Sequence, residues 1–183
     1  MVEKTKIRAV EPVDLAPLRA WRSDDRVTRT SLGRRFPTTS VGEETWFNSL
    51  GDGQFPTVVV WSVIDDDDQL VGLVRLADID WIHRTCWFGV WLDPNSWNKG
   101  HGLRATRLAI ERAFRSFGLR QVRLHVLREH DAARSMYVRV GFADEGVLER
   151  AVLIDNEEHD LVQMVLEANK FELVDNSEEV HAR

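Results

Sequence analysis

Residues 97–106 read WNKGHGLRAT and set Gly100 and Gly102 at the threshold of an arginine-bearing amphipathic run. A helix that starts here has up to four N–H groups without intrahelical acceptors, and about half a positive charge at its N-terminus. Asn98 to Leu103 can aim those groups at an anion, and glycine lets a phosphate approach without a Cβ clash. Lys99 adds charge. On this signal alone, a turn with no ligand is the default. The Gly-Lys-Ser/Thr of a P-loop is absent. The dinucleotide fingerprint is matched by Gly100-x-Gly102-x-x-Ala105 with Glu129 further on, but its glycines should follow a strand directly, and Asp93 to Lys99 intervenes.

Other reactive groups are sparse. The single Cys86 excludes an internal disulfide and fits a reducing cytoplasm. The six His show no metal-ligand spacing, so no metal is expected. Asp65–Asp68, DDDD, reads as a solvated turn that keeps a sheet edge from sticking. A net charge of −6 argues against nonspecific nucleic-acid binding and suits cationic partners. The opening MVEKTKIRAV lacks the apolar core of a signal peptide, and no apolar run reaches the roughly 20 residues of a membrane span. A cytoplasmic protein is expected, with neither nucleic acid nor membrane as partner.

The elements that must position these groups follow from periodicity. With 183 residues, one domain over 1–168 and a polar, acidic, mobile tail over 169–183 are expected. Ile7–Val10 reads as a strand, and Pro12–Asp14 opens a helix carrying Leu15, Leu18 and Trp21. Residues 23–38 read as charged and irregular; Thr39 or Ser40 caps a helix holding Trp46, Phe47 and Leu50. Thr57–Ile64, Gln69–Ile79 and Thr85–Leu92 form an antiparallel meander. Leu103, Ile110, Phe114 and Phe117 trace an amphipathic helix ended by Gly118. Gln121–Leu127 alternates Val122, Leu124 and Val126 against Arg123 and His125. A short helix, Asp131–Val140, ends at Gly141; Phe142–Leu148 and Asp160–Glu167 are the last strands, with irregular chain around Asp155–Glu158. The sum is a mixed α/β sheet with helices on both faces.

The segment from Val71 to Phe142 resembles the GNAT superfamily of acyl-CoA-dependent N-acyltransferases. The pattern Arg/Gln-x-x-Gly-x-Gly/Ala is here WNKGHG, and Asn-x-x-Ala-x-x-x-Tyr-x-x-x-Gly-Phe is here HDAARSMYVRVGF, with Ala133, Tyr137, Gly141 and Phe142 in step. WRSDDRV, residues 21–27, looks like the branch that acetylates ribosomal-protein N-termini at alanine or serine. GLVRLADIDWIHRTCWFGVWL, residues 72–92, is similar to that branch and to the spermidine acetyltransferases. The resemblance runs over about residues 6–167. It implies a central, mostly antiparallel twisted sheet with a V-shaped split between its two central strands. It also implies acetyl-CoA as cosubstrate, and as acceptor an amine-bearing small molecule or a protein N-terminus. Dimers are common in the family, so a homodimer is compatible with it.

By that resemblance, Trp97, Asn98, Lys99, Gly100, His101, Gly102 and Leu103 hold the pyrophosphate. Val90, Trp91 and Leu92 pair with the pantetheine arm like an extra strand, and a backbone N–H there polarises the thioester carbonyl. His130 and Ala133 flank the arm, and Tyr137 protonates the departing thiolate. The residue chemistry agrees: a phenol with pKa about 10 suits a thiolate of similar basicity. Tyr137 is also the only Tyr in a chain with eight Phe and seven Trp.

Three departures stand out. Trp97 replaces Gln or Arg, His130 replaces Asn, and Trp87 replaces a frequent Glu base on the central strand. A lysine-like amine is neutral only about one part in 10³ at neutral pH, a cost of about 4.6 kcal/mol, against about 1.4 for an α-amine. Without an evident base, the low-pKa amine is the easier acceptor. Asp80 and His83 are the base candidates, with Asp78, Trp81 and Trp87 as acceptor-site candidates. The rival readings are a non-catalytic acyl-CoA-binding module and a dinucleotide enzyme.

Overall fold

The computed structural model describes residues 5–32, 37–50 and 53–171. Strand β1 (Lys6–Ala9) leads into a single 3₁₀ turn, Pro12–Asp14, and then α1 (Leu15–Arg22), α2 (Asp25–Thr28) and α3 (Ser40–Asn48). Strands β2 (Val59–Ile64), β3 (Leu70–Asp80) and β4 (Thr85–Leu92) follow. Helix α4 (His101–Glu111), strand β5 (Gln121–Leu127), helix α5 (Asp131–Val140), and strands β6 (Ala143–Ile154) and β7 (Glu157–Glu167) complete the order. The strands form one sheet in the order β1-β2-β3-β4-β5-β7-β6. Every pairing is antiparallel except β4 with β5. Among the described residues, no helix is long and apolar enough to cross a membrane.

Period-two alternation assigns the two faces of the sheet. Val74, Leu76, Phe88, Val122, Leu124 and Val126 bury one face. Helix α4 lies on it through Ala105 and Ala109, whose small side chains permit close approach. Leu73 and Trp91 turn to the other face, beneath Leu18 and Trp21 of α1 and Trp46 and Phe47 of α3.

The β4–β5 pairing is short. It joins Thr85 to Gln121, Cys86 to Val122 and Trp87 to Arg123, and then stops. Strand β4 continues to Leu92 paired only with β3, and β5 continues to Leu127 paired only with β7. The central strands therefore splay beyond Trp87 into the V-shaped split that the resemblance implies.

Several elements depart from the sequence reading. Strand β6 runs on to Ile154, and Asp155 and Asn156 make a tight hairpin turn, both with positive φ (48° and 69°). This edge strand is solvent-exposed over most of its length, so no apolar alternation marks its second half. Asp25–Thr28 is helical, with the Asp24 side chain accepting from the Arg26 N–H as N-cap. The regular part of α4 ends at Glu111, and a wider π turn over Arg112–Ser116 carries the chain towards Gly118. Of the expected tail, Asn169–Phe171 is ordered against the core: Phe171 is buried, 5.7 Å from the Phe114 ring centroid. The remainder, 172–183, lies outside the described residues.

A buried ion pair fastens the first strand to the first helix. Asp14 accepts from Arg8 at 2.6 and 2.8 Å, from the Glu11 N–H at 2.9 Å and from the Ser62 hydroxyl at 2.7 Å. Burial works to raise the Asp14 pKa, but the Arg8, Glu11 and Ser62 hydrogen bonds outweigh it and hold the carboxyl below 3.8. A depressed carboxylate contributes stability above its unfolded pKa and loses it as pH falls through its folded pKa. Asp14→Asn should therefore cost about 2–4 kcal/mol in urea unfolding at about pH 7. The gap from wild type should narrow as pH falls below about 3.8.

Candidate active site

The site is built where β4 leaves β5. Antiparallel pairing alternates which residues turn their N–H and C=O toward the neighbouring strand. The Asp93 N–H bonds to the Val71 carbonyl, which puts Trp91 and Gly89 in the same phase, facing β3. The backbone groups of Phe88, Val90 and Leu92 then face the split. Of the expected Val90–Trp91–Leu92 trio, Val90 and Leu92 present their backbone to the cleft. Trp91 instead commits its backbone to β3 and sends its indole to the opposite face. Phe88 joins the cleft-facing set one step deeper.

Beyond Leu92 the chain makes a 3₁₀ turn, Pro94–Ser96, in which the Asp93 side chain accepts from the Asn95 N–H. Asn98 (φ 62°) and Gly100 (φ 83°) both adopt left-handed backbone, and α4 begins at His101. Among the described residues, no side chain caps this helix. The N–H groups at its start have no acceptor in the helix, which leaves an anion-receptive concavity beside the split.

Within this loop the side chains brace more than they bind. The Trp97 indole donates to the Leu92 carbonyl at 3.2 Å, closing the loop base onto the end of β4. Arg104 folds back to donate to the Lys99 carbonyl at 2.8 Å and the Thr5 hydroxyl at 3.0 Å. A Cβ on Gly100 would meet that guanidinium at 2.9 Å. The His101 ring is buried and turned to Thr5, at 3.1 Å, so its contribution to the loop is its backbone. Gly102 is also turned inward: a Cβ there would meet the Met136 sulfur at 3.0 Å and Leu92 Cδ1 at 3.2 Å. It keeps α4 close to β4 and α5. Arg104 braces the loop, a role that the motif alone does not reveal.

Helix α5 supplies the other wall. Tyr137 is buried, edge-on to Phe88 (6.3 Å between centroids) and to Phe142 (5.8 Å). Burial pushes its phenol well above the ordinary range, so it stays protonated. His130 sits at the N-cap of α5. Burial lowers its pKa while Glu129 and Asp131 oppose the shift, which favours a neutral imidazole. Ala133 packs against the core one turn on.

The opposite face of the split carries different chemistry. Trp87, at the apex, lies against the His125 ring at 4.4 Å between centroids. His125 Nε2 is 3.0 Å from Gln163 Oε1, and the Gln163 amide nitrogen donates to Glu145 at 2.7 Å. That second bond fixes the amide orientation, so Gln163 Oε1 accepts from His125 Nε2–H and leaves Nδ1 with the lone pair. Arg123 completes the chain on Glu145 at 2.8 Å.

The expected base candidates are elsewhere. Asp80 accepts from the Ile82 and His83 N–H groups at 2.9 and 2.8 Å and pairs with the His83 ring at 2.6 Å. They staple the β3–β4 turn at the closed end of the split, beyond Thr85. Trp81 also leaves the candidate acceptor site: its indole donates to the Pro56 carbonyl at 3.0 Å and meets Phe55 and Phe117 edge-on. Asp78 is an exposed bulge residue with φ 48°, felt electrostatically by Arg75. Only Trp87 of the three acceptor candidates stands at the split.

Between α1, α3 and the β3–β4 face lies a cavity of about 290 Å³, lined by Trp21, Arg22, Trp46, Leu73, Arg75 and Trp91 among others. Arg75 is the direct cross-strand neighbour of Gly89, and its guanidinium lies over the Trp91 ring at 4.8 Å. A Cβ at Gly89 would stand 3.3 Å from Arg75 Nε, so glycine here lets the guanidinium cross the strand. Sequence reasoning passed over both Arg75 and His125. The available signal for Arg75 was a lone charge inside the apolar run LVGLVRLA, residues 70–77.

Residues 4–143 match the sequence model of a family described as "Acetyltransferase (GNAT) domain". Spermidine N(1)-acetyltransferase of Vibrio cholerae serotype O1 is 30% identical over 171 residues, covering 93% of this chain and 97% of the relative. A protein of Bacillus subtilis (strain 168) named as a ribosomal N-acetyltransferase, YdaF, is 27% identical over 106 residues, 58% of each chain. In fold, the chain superposes with TM-score 0.85 on the crystal structure of spermidine N-acetyltransferase from Vibrio cholerae in complex with CoA and spermine. That match covers 91% of this chain and 97% of the other at 24% identity.

Proposed function

Because this chain belongs to the GNAT acetyltransferase family, we propose that it moves the acetyl group of acetyl-CoA to a primary amine by direct attack in a ternary complex. The observation that carries the reading is the split itself. Beyond Trp87 the strands part, the N-terminal loop of α4 stands at one end, and Tyr137 lies against Phe88 on the wall. Acetyl-CoA would supply a thioester, an acyl group activated for attack by nitrogen.

The protein's own parts divide the work. Backbone N–H groups from Asn98 to Leu103, with Lys99, hold the pyrophosphate. Cleft-facing backbone of Phe88, Val90 and Leu92 aligns the pantetheine arm, and an N–H among them stabilises the negative charge that develops on the carbonyl oxygen. His130, kept neutral, flanks the arm beside Ala133. Tyr137 holds the proton that passes to the CoA sulfur. Cys86 is buried and its thiol is pushed up to about 12, which supports direct transfer rather than an acetyl-cysteine route.

His125 takes the role first sought at Asp80 and His83. With Nε2–H held by Gln163, Nδ1 is the nitrogen that accepts the amine proton, directly or through water. His125→Gln should lower kcat about 10–100-fold near neutral pH. The deficit should shrink as pH rises and more amine is already neutral, which a purely structural role would not produce. A pH-independent deficit would remove the base role.

The relatives' names point to a polyamine as acceptor, and the ribosomal relative to a protein N-terminus. The deciding experiment is a thiol-release screen with acetyl-CoA over amines of graded pKa, alongside calorimetry of acetyl-CoA binding. Binding without transfer to any amine would favour a non-catalytic acyl-CoA-binding module.

A further inference from the structure

We propose that the acceptor cavity selects an amine that also carries a carboxylate, and that Arg75 is the residue that recognises it. The inference rests on the acetyltransferase reading above and names the substrate class of that same site.

The cavity is cationic. The described residues that line it include Arg22 and Arg75 and no Asp or Glu. Arg22 is spoken for: both Glu43 oxygens bind its Nη1, at 2.6 and 2.9 Å, and Glu43 is itself buried. Arg75 differs. Among the described residues it donates no hydrogen bond and forms no ion pair; its one close partner is the Trp91 ring. Its pKa is lowered, first by desolvation and also by repulsion from Arg22, with Asp78 opposing. Arg75 is open to solvent on its strand, so water serves it until a ligand arrives. No acceptor among the described residues competes for the guanidinium, and its fork matches a carboxylate at two points.

A polycation finds little here. The cavity lining offers no free carboxylate, and the Trp46 and Trp91 faces that might hold an ammonium already carry Arg22 at 4.6 Å and Arg75 at 4.8 Å. Arg75 stands opposite Gly89, in the part of β4 that runs along the split. A carboxylate seated on Arg75 leaves the amine end of a short molecule free to reach the thioester. The same positive field disfavours the ammonium form and so supports the neutral nucleophile. In the step itself, nitrogen forms the new bond to the acetyl carbon and the carbon–sulfur bond breaks; the proton lost from nitrogen passes to His125, and Tyr137 gives its proton to the sulfur.

The test uses a matched pair of equal chain length, 5-aminopentanoate and cadaverine, with spermidine as a third acceptor. Wild type should show kcat/KM for 5-aminopentanoate at least about tenfold above that for cadaverine. Arg75→Gln should bring the ratio to about one, with acetyl-CoA affinity unchanged, and Arg75→Lys should retain part of the preference. Preference for cadaverine or spermidine in wild type, or an unchanged ratio in Arg75→Gln, overturns the proposal. Absence of both acetyl-CoA binding and thiol release would instead defeat the acetyltransferase reading. If acetyl-CoA binds and none of the three amines turns over, tryptophan-fluorescence titration of the protein–CoA complex decides. Quenching by 5-aminopentanoate that Arg75→Gln abolishes supports the proposal; its absence overturns it.

Discussion

Tyr137→Phe should cut turnover about 100–1,000-fold while leaving the acetyl-CoA dissociation constant within about threefold. The substitution removes one oxygen and keeps the ring, so the edge-on contacts with Phe88 and Phe142 survive and the thermal midpoint should hold. What is lost is the proton for the leaving thiolate, a contribution of about 2.7–4 kcal/mol to the barrier. The pH profile sharpens the test. Burial raises the Tyr137 pKa, so the phenol is protonated across the whole working range. Its removal should scale the rate down uniformly rather than shift either limb of the profile. Initial-rate kinetics from about pH 6.5 to 9.5 with parallel calorimetry decide it. A variant within threefold of wild type would show that the thiolate leaves without this phenol.

The place of Tyr137 on α5 was legible because the local signals agree with one another. Gly141, with φ 112°, closes α5 as the helix-stop reading requires, and the same residues lie in step with the acyltransferase pattern. Strands β4 and β5 and helix α5 were bounded correctly for the same reason: their apolar periodicity is unambiguous. The acceptor side was not legible in this way. His125 was placed correctly opposite Val122 and Leu124, but its meaning depends on β4 parting from β5 at Trp87, and no local pattern encodes that register. The role proposed for Arg75 rests on Gly89 being its cross-strand partner, a pairing between positions fourteen residues apart. Asp80 and His83 misled for the converse reason. An acid and an imidazole three residues apart look like chemistry, and here they satisfy the backbone of a turn. Trp97, the motif's oddest residue, is explained by a single hydrogen bond to Leu92 that holds the loop in place.

The glycine loop yields the other large effect. Gly102→Glu should weaken acetyl-CoA binding more than about 100-fold in calorimetry, whereas Gly102→Ala should weaken it less than about tenfold. The structure separates the two glycines' roles. Gly100 is held at φ 83°, and a Cβ there is strained whatever the space around it. Gly102 lies inside α4, where alanine is favoured over glycine by about 1 kcal/mol. Its added methyl would press only on the ends of Met136 and Leu92, at 3.0 and 3.2 Å, and both are flexible. A glutamate has no such room. Its carboxylate must either enter the gap between β4 and α5, which the proposed function gives to the pantetheine arm, or swing to the helix N-terminus and occupy the proposed anion site itself. Both outcomes exclude the cosubstrate, and a carboxylate among those N–H groups would repel the pyrophosphate. Circular dichroism of the unliganded variant separates loss of binding from loss of fold. A folded Gly102→Glu protein that still binds acetyl-CoA normally would place the pyrophosphate elsewhere, and the loop would then be no more than the turn that its glycines alone suggest.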